Sequence, residues 1–96
     1  MLTHIVVWKY RDDVPQETRR EHVAQLAQLP AYIQEIISFA VGADVLRLGR
    51  SYDTGLVATF RDREALEAYT IHPIHQNVVE FGRGISQHVA SVDFEE

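Results

Sequence analysis

The chain has 96 residues, a formal net charge of −5 and no cysteine. Its nine basic residues are scattered among fourteen acidic ones, which argues against nucleic acid and anionic membranes as partners. The lack of cysteine excludes a disulfide framework and a thiol nucleophile, and no apolar run approaches the roughly 20 residues that span a bilayer. We therefore expect a single domain, residues 1–96. Because the N-terminus shows no signal-peptide pattern, we expect it in the cytoplasm.

The first predicted element is a strand over His4 to Trp8, a short stretch rich in Val and Ile. Side chains alternate along a strand, so His4, Val6 and Trp8 share one face and Ile5 and Val7 the other. Both faces are largely apolar. The strand should therefore be covered on both sides, by helices on one side and by something else on the other.

The remaining elements follow from turn and capping signals. Pro15 begins a helix that ends at Pro30, and Asp62 is a suitable N-cap for a second helix that carries Tyr69. Further strands are predicted over residues 36–41, 52–60 and 88–94, with Gly42 as a bulge or break. A last helix shows apolar residues at helical spacing: Ile74, Val78, Phe81 and Ile85.

The order strand, helix, strand, strand, helix, strand is that of the ferredoxin-like split βαβ fold, βαββαβ, in the α+β class. It predicts one four-stranded antiparallel sheet with helices on one face. Because the helices cover only one side, apolar residues on both faces predict that a second copy covers the other. We therefore expect a homodimer whose two sheets form an α+β barrel.

The chemistry is predicted at Tyr69 to His75, where two histidines flank a proline. Proline disfavours helical geometry in the preceding residue, so His72 should leave the helix of Tyr69 while Pro73 begins a new one. His75 then lies in the first turn, where free N–H groups favour neutral imidazole and bound anions. The alternative is that His72 only caps the helix and His75 is half in solvent.

Other residues extend or limit this site. A metal site built from His72, His75 and His88 lacks a reliable third ligand, and the field at a helix start repels cations, so we predict no metal and no cofactor. Arg47 lies in the least patterned stretch and is either a ligand contact at the mouth of a pocket or part of a solvated loop. Trp8 is a candidate wall residue for a flat, partly apolar ligand, although core packing explains it equally well.

Five segments together match the pattern of a known family: His4 to Lys9, Ser51 to Phe60, Asp62 to Leu66, Tyr69 to Gln76 and Val92 to Phe94. Over nearly its whole length the chain resembles the stress-responsive A/B barrel domain proteins, the Dabb family. The resemblance implies a dimeric α+β barrel. Many members are known only as stress-induced proteins, whereas some look like cyclases that fold a linear polyketide thioester into an aromatic acid.

The resemblance also implies residue roles. In the cyclase-like members, a tyrosine and a histidine of the segment that corresponds to Tyr69 to His75 carry the catalysis. The matching residues are Tyr69 and His75, with His4 and His72 nearby. One position departs from the pattern: Gly55 stands where a cyclase of the family places a further histidine. We expect the missing side chain to widen the cavity.

Two functions follow from these observations. In the first, His75 takes a proton from carbon beside a carbonyl and Tyr69 donates to the enolate oxygen, which is cofactor-free acid/base chemistry of a cyclase, lyase or isomerase. His4, His72, Trp8 and Arg47 then bind the small molecule. In the second, the protein is a non-catalytic dimeric stress or scaffold protein, and the same residues only hydrogen-bond around a helix break.

Overall fold

Eight elements follow one another in the computed structural model, which describes residues 1–96. The four strands and the longer helices occur in the predicted order, and a one-turn helix follows the first long one. In chain order the elements are β1 (Leu2–Tyr10), α1 (Gln16–Ala27), α2 (Leu29–Tyr32), β2 (Ser38–Ala43), β3 (Thr54–Phe60), α3 (Arg63–Ile71), α4 (Pro73–Ile85) and β4 (Ser86–Glu95).

The strands form one antiparallel sheet in the order β2-β3-β1-β4. The first and third strands occupy the centre, and the other two lie at the edges. This is the ferredoxin-like arrangement, so the predicted α+β fold is confirmed. The central position of β1 explains its apolar composition, because a central strand is flanked by neighbours and covered on its faces.

Strand boundaries differ from the prediction at the edges of the sheet. β2 covers Ser38–Ala43 and β4 begins at Ser86, directly after the last helix. Gly42 does not break β2, because it pairs in regular register with Gly55 of β3. Pairing with a neighbouring strand, which depends on residues distant in sequence, sets these ends more firmly than local composition does.

The hydrophobic core lies between the sheet and the helices. Every second residue of β1 and β3 points into it, as the alternation predicts. The helices complete it from the opposite side, and Tyr69 is its one phenol. The buried cluster consists of Leu2, Leu26, Leu29, Ile33, Leu56, Ala58, Phe60, Tyr69 and Val78.

Two capping interactions fix the helices that border this core. The Asp62 side chain accepts a hydrogen bond of 2.9 Å from the Ala65 N–H at the start of α3. At the start of α4, His72 Nδ1 accepts one of 3.1 Å from the Ile74 N–H, and Pro73 takes the first helical position. The predicted break between the helices at His72 is confirmed, and it places His75 in the first turn of α4.

The other face of the sheet carries no helix. Val57, Val92 and Phe94 project from it and are 43%, 54% and 42% exposed. They lie on β3 and β4, the two strands that flank β1, since Ile5 of β1 pairs with Val57 on one side and with Val92 on the other. This surface, which we call the open face, is therefore an apolar area at the centre of the sheet.

None of the helices combines the length and the apolar character needed to cross a membrane.

Candidate functional site

A cavity of about 430 Å³ lies between the sheet and the helices. His4, Val6 and Trp8 of β1 form part of its wall, which agrees with their predicted common face. Tyr69 of α3 and His75 of α4 line it from the helix layer. The cavity volume falls within the range of roughly 300–1,000 Å³ that is usual for small-molecule sites.

Tyr69 and His75 are in direct contact in this cavity. Their ring centroids lie 4.2 Å apart, and the Tyr69 side chain is almost fully buried. The Tyr69 hydroxyl has no hydrogen-bond partner within the chain, although the residue lines the cavity. Burial raises the pKa of Tyr69 above its ordinary value, so the phenol stays protonated and is available as a donor.

His75 is a proton acceptor, whereas Tyr69 is a donor. Its Nδ1 lies 3.0 Å from the Thr70 carbonyl oxygen. Since a carbonyl only accepts, Nδ1 carries the proton, and in the neutral ring Nε2 is left as a free acceptor. Burial lowers the pKa of His75; the hydrogen bond to Thr70 opposes this, and the nearby His4 and His72 add to the lowering. The imidazole is therefore held neutral, as a proton acceptor must be.

His4 adds a third polar ring to this end of the cavity. It meets the Tyr69 ring edge to face at a centroid distance of 5.9 Å. Its Nδ1 hydrogen-bonds the Asp93 carboxylate, which lies opposite it in the register of β1 and β4. A carboxylate at Nδ1 fixes that nitrogen as the protonated one. His4 is thus both a hydrogen-bonded histidine at a strand start and a cavity residue.

Two predicted binding residues lie elsewhere. His72 does not line the cavity; its Nδ1 is engaged by the Ile74 N–H as the N-cap of α4. Arg47 borders a separate depression and pairs with Asp53 at 3.1 Å. The structure does not bring either residue to the cavity of Tyr69, because a capping contact holds His72 and an ion pair holds Arg47.

A metal centre finds no support in the side-chain arrangement. No group of three or more His, Cys, Asp or Glu side chains converges closely enough to hold a metal ion. His72, His75 and His88, the alternative raised by the sequence, are not brought together as a ligand set. The cavity is lined instead by the Tyr69 phenol and by the imidazoles of His4, His22, His75 and His88.

Sequence reasoning missed a buried histidine. His22 of α1 is 1% exposed and lines the same cavity beside Trp8, with ring centroids 5.1 Å apart. Its Nδ1 lies 2.7 Å from the Tyr10 hydroxyl, which in turn lies 2.8 Å from Thr54 Oγ1. The available signal was its spacing, because His22 precedes the core residue Leu26 by one helical turn and so shares its buried face.

The expectation for Gly55 is wrong. Gly55 pairs with Val7 and lies on the open face of the sheet. A Cβ added there would meet only Val7 Cγ1, at 3.9 Å. Thr54, one residue earlier, is one of the four buried residues of β3 that point toward the helices. A shift of one residue along a strand exchanges the two faces, so the cavity is not widened at this position.

Gly82 is the residue of α4 that makes room for His22. A Cβ added at Gly82 would lie 2.9 Å from His22 Nε2, whereas one at Gly84 would meet nothing within 4 Å. We expect Gly82→Ala to lower the free energy of unfolding by about 1–3 kcal/mol through overpacking against a ring that Tyr10 holds in place. Gly84→Ala in the same helix is the matched control and should be neutral or stabilising by up to about 1 kcal/mol. Urea unfolding measures both, and equal effects of the two variants would contradict this close approach.

With this geometry established, comparison with known proteins decides the family. The model of the Stress responsive A/B Barrel Domain (Dabb) matches residues 2–96. The chain belongs to this family. No curated protein sequence matches this A/B barrel domain.

Solved structures agree with the assignment. A dimeric ferredoxin-like protein from Thermobifida fusca is 26% identical, with a TM-score of 0.90 over 99% of this chain and 90% of that one. A dimeric protein of the same fold from Bacteroides fragilis is 28% identical, with a TM-score of 0.87 over 99% and 95%. The hydroxynitrile lyase of Passiflora edulis is 13% identical, with a TM-score of 0.86 over 97% and 90%. At that identity the likeness shows the fold alone.

Proposed function

We propose that this A/B barrel domain binds a small, partly apolar carbonyl compound in its cavity and acts on it by acid/base chemistry. One observation carries the proposal: a phenol without a partner and an imidazole with a free Nε2 touch each other at the wall of the same cavity. An apolar residue would fill a packed core equally well, whereas the unpaired Tyr69 hydroxyl is not enclosed by protein and is open to the cavity.

The proposed reaction step needs no cofactor. His75 Nε2 takes a proton from the carbon beside the carbonyl, the C–H electron pair moves to form the C=C bond of the enolate, and the carbonyl oxygen gains the negative charge. Tyr69 donates its hydroxyl hydrogen to that oxygen. Positioned acid/base groups contribute on the order of 10²–10⁴-fold in rate. Cyclases, lyases and isomerases share this step, and the step alone does not choose among them.

Proton exchange tests the proposal without knowledge of the physiological substrate. The wild-type protein is incubated with 2-acetonaphthone, an aromatic methyl ketone, in D₂O, and the methyl signal is followed by proton NMR. We expect exchange of the methyl protons to be faster than in buffer containing an equal concentration of imidazole. Exchange no faster than in that buffer would contradict the proposed chemistry.

We also propose that two copies associate through the open face. The neighbours from Thermobifida fusca and Bacteroides fragilis are described as dimeric, and the exposed Val57, Val92 and Phe94 supply an apolar surface for such contact. The same observation favours the second candidate function, a dimeric scaffold without a substrate. The exchange experiment separates the two, because a scaffold accelerates nothing.

Val92→Lys should convert the dimer to a monomer, because it places a charge in the centre of the apolar interface. Sedimentation equilibrium should give twice the chain mass of 11.0 kDa for the wild type and the single mass for the variant. Val45→Lys is the control, since Val45 is 86% exposed in a loop, and it should stay dimeric. A dimeric Val92→Lys would place the interface elsewhere.

A further inference from the structure

The proposed acid/base pair uses only one end of the cavity. His4, beside Tyr69, and Trp8 both line the wall from the same strand and are four residues apart. A strand rises about 3.4 Å per residue, so their backbones are separated by roughly 14 Å. The cavity therefore extends along β1, and its far end, formed by Trp8 and His22, has no role in the proton transfer.

This far end presents two nitrogen atoms side by side. A Cβ at Gly82 would lie 2.9 Å from His22 Nε2 and 3.6 Å from Trp8 Nε1, so both nitrogen atoms lie close to the same position on α4. His22 Nδ1 is occupied by the Tyr10 hydroxyl, but neither Nε2 nor the indole N–H has a hydrogen-bond partner in the chain. Neither nitrogen is fully enclosed by protein, because Ser86 Oγ is the only buried side-chain polar atom without a partner.

The surroundings favour an uncharged group. His22 is packed by the rings of Trp8, Tyr10 and Phe81. Burial keeps its imidazole neutral, with the pKa lowered to about 4. A hydroxyl oxygen can accept from the indole N–H and its hydrogen can be donated to Nε2, or the oxygen can accept from Nε2–H in the other tautomer. Arg83, which also lines the cavity, is already paired with Glu80 at 3.0 Å, so a carboxylate would lose its hydration without gaining a free cation.

We propose that Trp8 Nε1 and His22 Nε2, beside Gly82, form a second polar subsite that binds a neutral hydroxyl group of the ligand. The inference rests on the proposed function for the position of the carbonyl at Tyr69. Together the two ends define the substrate class: an elongated aromatic ketone with a hydroxyl at the end remote from the reacting carbonyl. Ser86 also lines the cavity, and its Oγ is buried without a partner, which adds polar character to the wall.

Three probes separate the two ends: 6-hydroxy-2-acetonaphthone, 2-acetonaphthone and 2-naphthol, with Kd measured by calorimetry. We expect the hydroxylated ketone to bind wild type about threefold to tenfold more tightly than the plain ketone, which corresponds to one net hydrogen bond. His22→Phe, of similar shape, should bring this ratio to about one and weaken 2-naphthol. Trp8→Phe, which removes only the indole N–H side of the subsite, should reduce the ratio as well.

Tyr69→Phe distinguishes a failure here from a failure of the proposed function. It should weaken both ketones and leave their ratio and the binding of 2-naphthol unchanged. A wild-type ratio of one, or a ratio that survives in both His22→Phe and Trp8→Phe, overturns the subsite while the Tyr69 effect stands. If both ketones bind equally to wild type and to Tyr69→Phe, the carbonyl site is overturned. If the ratio of the two ketone Kd values still depends on His22 in that case, the subsite is supported. No binding of any probe overturns both.

Discussion

His75→Ala should lower the rate of methyl-proton exchange in 2-acetonaphthone by about 10²- to 10⁴-fold, because it removes the group that accepts the proton. His75 contacts the Tyr69 ring at a centroid distance of 4.2 Å, and its Nε2 is free since Thr70 holds its Nδ1. The measurement is the exchange rate by NMR at matched protein concentration, with circular dichroism to verify the fold.

Tyr69→Phe should slow the same exchange by about 10²- to 10³-fold through loss of the donor to the enolate oxygen. Tyr32→Phe is its control, because Tyr32 is 60% exposed and lies on another helix. His72→Asn is the control for His75, because asparagine preserves an N-cap. Both controls should retain the wild-type rate. If His72→Asn lost as much activity as His75→Ala, the assignment of the base would be wrong.

The second large effect concerns acid stability and arises from His22. Burial lowers the pKa of His22 from 6.5 to about 4 in the folded protein. Between these values the unfolded chain binds a proton at His22 and the folded chain does not, so acid favours unfolding. The contribution of neutral His22 to the free energy of unfolding is fully present above pH 6.5 and is lost as the pH falls toward 4. At about 1.4 kcal/mol per pH unit, the free energy of unfolding falls by as much as about 3 kcal/mol.

Urea unfolding of wild type and His22→Gln at several pH values measures this effect. The variant has no titrating group at this position, so its stability should fall less steeply between pH 6.5 and 4, while carboxylates contribute equally to both proteins. The difference between the two curves isolates His22. Parallel curves would mean that His22 titrates normally in the folded state and is not buried as the structure has it.

The sequence predicted the fold because its signals are local. Alternation in β1 placed His4 and Trp8 on the face that lines the cavity, and the proline after His72 placed the helix break. These features depend on the geometry of single elements, which a few neighbouring residues determine. For the same reason the contact between Tyr69 and His75 was within reach, since one short segment carries both residues.

What the sequence did not reveal depends on contacts between distant elements. Asp93 meets His4 across 89 residues, and this pairing follows from the register of β4 on β1. Arg47 is withdrawn from the cavity by its ion pair with Asp53. The role of His22 required knowledge that α4 brings Gly82 against it. Such contacts are set by packing between elements, which no local pattern encodes.

The histidine rings of the protein provide the most direct test of the central claim that a carbonyl ligand binds at Tyr69 and His75. The ¹⁵N resonances of the imidazoles are recorded during titration with 2-acetonaphthone. We predict saturable shifts at His75 Nε2 and at His4, and none at His72, whose Nδ1 is engaged as a helix cap outside the cavity. Unchanged resonances at His75 and His4 at saturating ketone would contradict the assignment of this cavity as the site.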